Sequence, residues 1–328
     1  MIGVGAFGRN HARVYKQLEQ QGESLRLLGV VDRDVSRADA VGREFGCRSF
    51  GSLEQLLTTH SEVQVASVTV PTVNHLDSAR ALMEAGVDVL IEKPLATSLA
   101  EADALFEIAK KNRRVAQVGH LERFNPAVRA AVPLITQPMF FEVHRMSVFT
   151  PRSLDVDVVL DLMIHDLDIV LSFVKSPVKE VRAVGLPILS GKTDIANVRV
   201  EFGSGCVANF TASRVSTERI RKLRFFQPRQ YISIDYGRQD LLVFSVGDQP
   251  GGEAVPSVNP QIGMLKPPVQ AEEPLRAEIR SFLESVRTRS APVVSLEDGR
   301  SALALALEIV DHIQQHGSRI NLEKLTRQ

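Results

Sequence analysis

Cysteine is nearly missing from this chain, net charge is zero, and no apolar stretch runs unbroken for long. The two cysteines, Cys47 and Cys206, fall in different expected domains, which excludes a disulfide framework and leaves two reduced packing residues. Lys plus Arg equals Asp plus Glu at 39 each, so the basic excess expected of a nucleic-acid or anionic-membrane binder is absent. Asp or Pro interrupts every apolar run well short of the roughly 18 residues that a membrane span needs. No secretory leader pattern opens the chain. These absences lead to the expectation of a cytoplasmic protein. A length of 328 residues suggests two domains and is ample for a large core.

What is present begins with Gly3-Val4-Gly5-Ala6-Phe7-Gly8, followed by a helical pattern over residues 9–20. In G-x-G-x-x-G the first glycine makes a tight turn and the second lets a pyrophosphate approach the backbone. The third allows helix and strand to pack closely. The helix N-terminus offers unpaired N–H groups and a positive dipole end to that pyrophosphate. The next apolar run ends in Asp32, 24 residues after Gly8, where the fingerprint expects an acid to hold the adenosine ribose hydroxyls. Asp32 would repel a 2′-phosphate, which favours NAD over NADP. Arg33 beside it could accept that phosphate, and is expected instead to lie over the adenine. The leading strand is only Met1 and Ile2, so this edge is unusually short or the chain lacks a few N-terminal residues.

Lys93 lies in Glu92-Lys93-Pro94, directly after the apolar run 87–91. Proline ends strand pairing and restricts Lys93 to an extended conformation, which directs its ammonium. The C-terminal ends of parallel strands are where open α/β sheets bind ligands. A solvated ion pair is the competing reading.

Strands expected over 25–32, 63–70, 88–92 and 115–119 alternate with helices over 35–45, 73–85 and 98–112. That rhythm predicts right-handed βαβ units and a Rossmann domain over residues 1–119. Residues 120–328 predict an α+β domain with a large, mainly antiparallel open sheet. Its elements are a helix over 157–174, strands over 178–189, 193–202, 206–215, 219–226, 231–236 and 240–246, a loop over 247–273, and helices over 274–288 and 297–315. A sheet with one bare face is also a surface for a homodimer or homotetramer.

The helix over 157–174 carries Asp161 and His165 four apart, on one face of an α-helix. The imidazole suits a general base and the carboxylate suits its orientation. A solvated polar face is the alternative. A metal would need a third ligand, and none recurs at a convincing spacing, so no metal is expected.

In this order and spacing the glycine motif, Glu92-Lys93-Pro94 and Asp161-x-x-x-His165 resemble the glucose–fructose oxidoreductase/inositol dehydrogenase (Gfo/Idh/MocA) family. The resemblance spans essentially the whole chain. It implies an NAD-dependent dehydrogenase of a sugar hydroxyl, with Lys93, Asp161 and His165 around the reacting carbon. It further implies that Val70, Pro71 and His75 border the cofactor. Asp155 to Val159 depart from the family's glycines before the Asp, which suggests a different substrate pocket. The segments 119–126, 152–157 and 210–214 resemble members acting on UDP-N-acetylated sugars. They imply oxidation of the 3-hydroxyl of UDP-N-acetylglucosamine, a product for an aminotransferase on the way to amide-linked lipid A. Asn125, Arg123, Arg152 and Arg214 are then candidate substrate contacts, the arginines for the diphosphate. A free-sugar or inositol dehydrogenase, and a non-catalytic NAD(H) sensor, remain the rival readings.

Overall fold

The computed structural model describes residues 1–150, 156–246 and 262–319. The chain divides into two units: Met1–Leu121 with Glu273–Leu303, and Glu122–Glu272 with Ala304–Gln328.

In the first unit, strand and helix alternate as the periodicity predicts. The order is α1 (Ala6–Gln20), β1 (Gly29–Val31), α2 (Val35–Phe45), β2 (Arg48–Phe50), α3 (Leu53–Thr59), β3 (Val65–Val68), α4 (His75–Glu84), β4 (Asp88–Glu92), α5 (Leu99–Asn112) and β5 (Ala116–Gly119). β2 and α3 are additions to the sequence expectation. At three and seven residues they are too short for a hydrophobic period to declare itself. Asp34, Ser52 and Ser98 cap α2, α3 and α5, accepting N–H bonds from Arg37, Gln55 and Glu101 at 3.1, 3.2 and 3.3 Å.

β1 pairs with β2, and β3, β4 and β5 pair in turn, all parallel. Ile2 joins the two groups by parallel bridges to Val31 and Val68. The short leading segment therefore lies between β1 and β3 and not at an edge. Its N–H donates to the Ser67 carbonyl and its carbonyl accepts from Thr69, at 2.9 and 2.8 Å.

The second unit holds α6 (Pro126–Ala131), β6 (Phe140–Val148), α7 (Ile164–Phe173), and β7 to β13. The last seven strands are Val178–Leu186, Ile195–Phe202, Val207–Ser216, Ile220–Gln227, Gln230–Asp235, Asp240–Val246 and Ile262–Leu265. Among the described residues these seven and β6 form one eight-stranded sheet ordered β13-β12-β11-β10-β6-β9-β8-β7. Every pairing is antiparallel except β6 with β9. β6 escaped the sequence reading because its inward positions are Phe141, Val143 and Arg145, and the arginine breaks the apolar alternation. β13 falls inside the expected loop; residues 247–261 of that loop lie outside the described residues.

α7 lies on this sheet through Phe173, whose ring centroid is 6.5 Å from Phe141 and 5.8 Å from Phe225. Phe140, Phe226, Tyr231 and Phe244 form a separate row of successive ring contacts across β6, β10, β11 and β12.

After the sheet, α8 (Pro274–Thr288) returns to the first unit, and α9 (Leu296–Arg319) ends the described chain. Leu275, Ile279, Phe282 and Leu283 of α8 share a core with Val14, Tyr15 and Leu18 of α1. Just beyond α8, Arg289 donates to the buried Asp88 carboxylate at 2.6 Å. Cys47 and Cys206 are free thiols. No helix among the described residues is long and apolar enough to cross a membrane.

The interior of the second unit contains a charged cluster. Arg145 of β6 grips Asp166 of α7 through two N–H bonds at 2.6 and 2.9 Å. It also donates to Glu122 at 3.1 Å and lies 5.2 Å from the Tyr236 ring centroid. Burial opposes the Arg145 charge, but Asp166 and Glu122 outweigh it and raise its pKa. Asp166→Ala should therefore destabilise the protein by about 3–5 kcal/mol, because it leaves a buried guanidinium short of charge. Urea unfolding checks this, and a loss below about 1 kcal/mol would contradict it.

Candidate active site

The glycine motif folds as the fingerprint requires. Gly3 has φ +79°, and a Cβ there would lie 2.8 Å from the Val70 nitrogen. A Cβ on Gly8 would lie 2.0 Å from the Gly3 carbonyl oxygen, so only glycine lets helix and turn approach this closely. Gly5 is the N-cap of α1, and no side chain caps that end. Ala6 and Phe7 are exposed in the first turn. The cradle thus offers bare backbone N–H groups at a helix N-terminus, which fits a dinucleotide pyrophosphate.

Asp32 follows β1 and is fixed beside the turn. Its Oδ2 accepts the Val4 N–H and its Oδ1 the Asp34 N–H, each at 2.9 Å. Arg37, in the first turn of α2, reaches Asp32 at 3.4 Å and Asp34 at 3.2 Å. Arg33 is exposed and makes no ion pair among the described residues. The cation beside Asp32 is therefore Arg37. Its sequence signal was a basic residue three positions after the Asp34 cap.

Val70 and Pro71 follow β3, and the His75 ring lies against the Val70 carbonyl. His75 Nε2 is 3.0 Å from that carbonyl and Nδ1 is 3.2 Å from the Leu95 carbonyl. Burial lowers the His75 pKa, against the pull of these carbonyls. His75 therefore ties the loop after β3 to the loop after Pro94. Glu92 points inward at the end of β4, where it meets His11 Nε2 at 3.1 Å and the Lys93 N–H at 3.3 Å. His11 in turn packs edge-to-face with the Phe7 ring, their centroids 5.1 Å apart. Lys93 is half-buried, and its peptide bond to Pro94 is cis.

In the second unit, the helix expected over 157–174 opens with a π turn over Val159–Met163 and becomes α-helical from Ile164. The opening is tied down from outside. Asp157 Oδ1 accepts the Val159 N–H, and the Val158 N–H donates to the Thr193 carbonyl, both at 3.0 Å. Asp161 lies in the π turn and His165 in α7, so the regular i, i+4 stack is altered by the wider turn. Both side chains are half-buried.

The expected substrate contacts divide differently. Arg123 makes a fork with Asp168 of α7, at 2.7 and 3.0 Å. Arg214 donates to Asp194 at 2.8 Å and to the Thr193 carbonyl at 3.1 Å. Burial works against the Asp194 charge, but N–H bonds from Ser190, Leu189 and Ile188 hold its pKa well below the usual carboxylate range. Asn125 caps α6, accepting from Ala127 at 3.1 Å and donating to the Tyr236 carbonyl at 3.0 Å. Arg152 lies outside the described residues.

One cation in this unit was missed. Arg221 of β10 is the cross-strand neighbour of Arg145, and its guanidinium has no hydrogen bond or ion pair among the described residues. The residue is exposed, yet desolvation of its guanidinium and the Arg145 charge lower its pKa. The sequence carried only a run of alternating basic residues there, without a sign of which one lacks a partner.

Comparison with known proteins follows the same division. The family described as "Oxidoreductase family, NAD-binding Rossmann fold" matches residues 1–120, and the GFO/IDH/MocA C-terminal domain matches residues 136–232. The UDP-N-acetylglucosamine 3-dehydrogenase of Acidithiobacillus ferrooxidans is 36% identical over 313 residues, 94% of this chain and 95% of that one. Its solved structure aligns with a TM-score of 0.86 at 34% identity, covering 96% of each chain. The scyllo-inositol 2-dehydrogenase (NAD(+)) of Bacillus subtilis is 27% identical over 231 residues, 66% of this chain and 67% of that one. A levoglucosan dehydrogenase solved with NADH shares the fold, with a TM-score of 0.83 at 18% identity over 96% of each chain. The glycine cradle, the two-part fold and these likenesses agree: the chain belongs to the Gfo/Idh/MocA family of oxidoreductases.

Proposed function

We propose that this protein oxidises the 3-hydroxyl of UDP-N-acetylglucosamine to the 3-keto sugar, with NAD as the hydride acceptor. The observation that carries this reading is the 36% identity, over 94% of the chain, to an enzyme named for that reaction. Gly3, Gly5, Gly8 and Asp32 would hold the dinucleotide, since the turn has no room for Cβ atoms at Gly3 and Gly8 and a carboxylate stands beside it. Bound NAD supplies the acceptor for a hydride leaving the sugar carbon.

His165 then takes the hydroxyl proton, a task suited to imidazole near neutral pH. Asp161, one turn earlier, steadies the imidazolium that forms. Lys93 donates a hydrogen bond to the same oxygen as it gains alkoxide character. The 3-keto product is a substrate for a pathway aminotransferase. The homodimer or homotetramer of this reading uses the sheet face that carries the Phe140–Phe226–Tyr231–Phe244 row.

The diphosphate needs a guanidinium that no carboxylate already holds. Arg123 and Arg214 each face one, whereas Arg221 does not. Arg221 also adjoins Arg145, whose partner Asp166 directly follows His165. A free inositol or sugar is the second reading, favoured by the likeness to scyllo-inositol 2-dehydrogenase.

Three outcomes test these assignments. By calorimetry the protein should bind NAD more tightly than NADP. Asp32→Ala should narrow that gap by freeing Arg37 to meet the extra phosphate; tighter NADP binding by the unmodified protein would contradict the assignment. His165→Ala should lose roughly 10²–10⁴-fold in turnover with NAD affinity little changed. Near-normal turnover would exclude it as the base. Finally, NADH formation should be seen with UDP-N-acetylglucosamine and hardly at all with free N-acetylglucosamine. Arg221→Ala should raise KM about 10- to 100-fold, the equivalent of one charge-assisted contact. Equal rates on both sugars would favour the free-sugar reading.

A further inference from the structure

An imidazole and two carboxyl groups meet in the interior of the first unit. His11 of α1, Glu92 of β4 and Glu278 of α8 bring one nitrogen or oxygen each to within 4.8 Å of one another. Glu278 is completely buried, and neither of its carboxyl oxygens has a hydrogen-bond partner among the described residues. Glu92 is engaged, accepting the Lys93 N–H at 3.3 Å and meeting His11 at 3.1 Å. The backbone of β5 also presses on it, since a Cβ on Gly119 would lie 2.5 Å from Glu92 Oε1.

Two adjacent carboxyl groups in an apolar interior do not both ionise unless a cation is present. Glu278 is the one to keep its proton, because Glu92 has a partner for its charge and Glu278 has none. Burial, and then the Glu92 charge, push the Glu278 carboxyl well above the usual carboxylate range. The other groups facing it are Tyr15 of α1, whose pKa burial raises against its hydrogen bond to Ser67, and His11. Gln117 of β5 donates to the Glu278 backbone carbonyl at 3.3 Å.

We propose that Glu278 is held as an uncharged carboxylic acid beside the Glu92 carboxylate and is a positioning residue for the Glu92–Lys93–Pro94 turn. Its proton removes the like-charge repulsion that would drive Glu92 outward and carry Lys93 with it. The positioning role rests on the proposed task of Lys93, but the proton on Glu278 does not. A divalent cation shared by the three side chains is the rival arrangement.

Linkage gives the readout. Unfolded, Glu278 releases its proton near pH 4.3, roughly the ordinary value for glutamate. Folded, it holds the proton to higher pH, so this group's contribution to stability falls as pH rises through that window. Glu278→Gln has no proton to lose. Its melting temperature should gain on that of the unmodified protein between about pH 5 and pH 8, by roughly 2 °C per pH unit. Glu278→Met, similar in volume and also proton-free, should behave alike if the glutamine variant fails to fold. Infrared spectra near pH 8 should show a protonated-carboxyl stretch in the unmodified protein that either variant lacks. Parallel pH curves, or no lost band, would overturn the proposal. So would one divalent metal per chain by elemental analysis that disappears in Glu278→Gln. None of these readouts needs a substrate, so a failed sugar assignment cannot be mistaken for a failed proton.

Discussion

Buried charge is the constraint around which the rest of the fold is arranged. Asp166, Asp168 and Asp194 are each at most 2% exposed, and an isolated carboxylate at such depth is untenable. Each is answered by a guanidinium from elsewhere in the second unit: Arg145, Arg123 and Arg214. Two of these forks end on α7, at the first and third residues after His165. A planar guanidinium fixes both distance and direction, unlike a flexible ammonium. The helix carrying the proposed base is thus held at two points, with the Phe141–Phe173–Phe225 cluster as a third. Paired this way the charges contribute orientation more than stability, since apolar residues of similar volume often stabilise as well.

The first unit meets its constraint differently, by leaving side chains out. The turn over residues 3–8 works because Gly3 and Gly8 have no Cβ, and Asp32 can then reach the Val4 N–H. Where a charge must be buried there, at Asp88, Arg289 and the Val115 N–H satisfy it at 2.6 and 2.7 Å. α8 therefore belongs to this unit for electrostatic as well as apolar reasons. Its start is fixed by Arg13 and Glu273, and its far end by Arg289.

Much of this was legible in the sequence because it is local. The glycine spacing, Asp32, the βαβ rhythm and Glu92-Lys93-Pro94 depend on residues a few positions apart, where periodicity and turn chemistry speak directly. What escaped depends on partners distant in the chain. Arg123 meets Asp168 and Arg214 meets Asp194, separated by 45 and 20 residues, and nothing near either arginine announces it. As basic side chains they fitted a diphosphate equally well on paper. β6 was hidden by one inward arginine, and the π turn before α7 by a bond from Val158 to Thr193.

Lys93 shows how a local motif imposes a non-local requirement. All five residues of β4 are buried, so the strand has no solvated face on which a polar side chain can rest. Side chains alternate along a strand, and the residue before Lys93 must then point into the interior. Glutamate at that position is a buried carboxylate, and it calls for a donor and for a neighbour that does not share its charge. His11, three residues after the last glycine of the motif, supplies the first contact, which ties the dinucleotide turn to the turn bearing the lysine. The second condition falls on α8, almost two hundred residues further along the chain, where Glu278 faces the same carboxylate. The Glu92-Lys93-Pro94 motif is therefore completed by residues that no reading of its own neighbourhood would include.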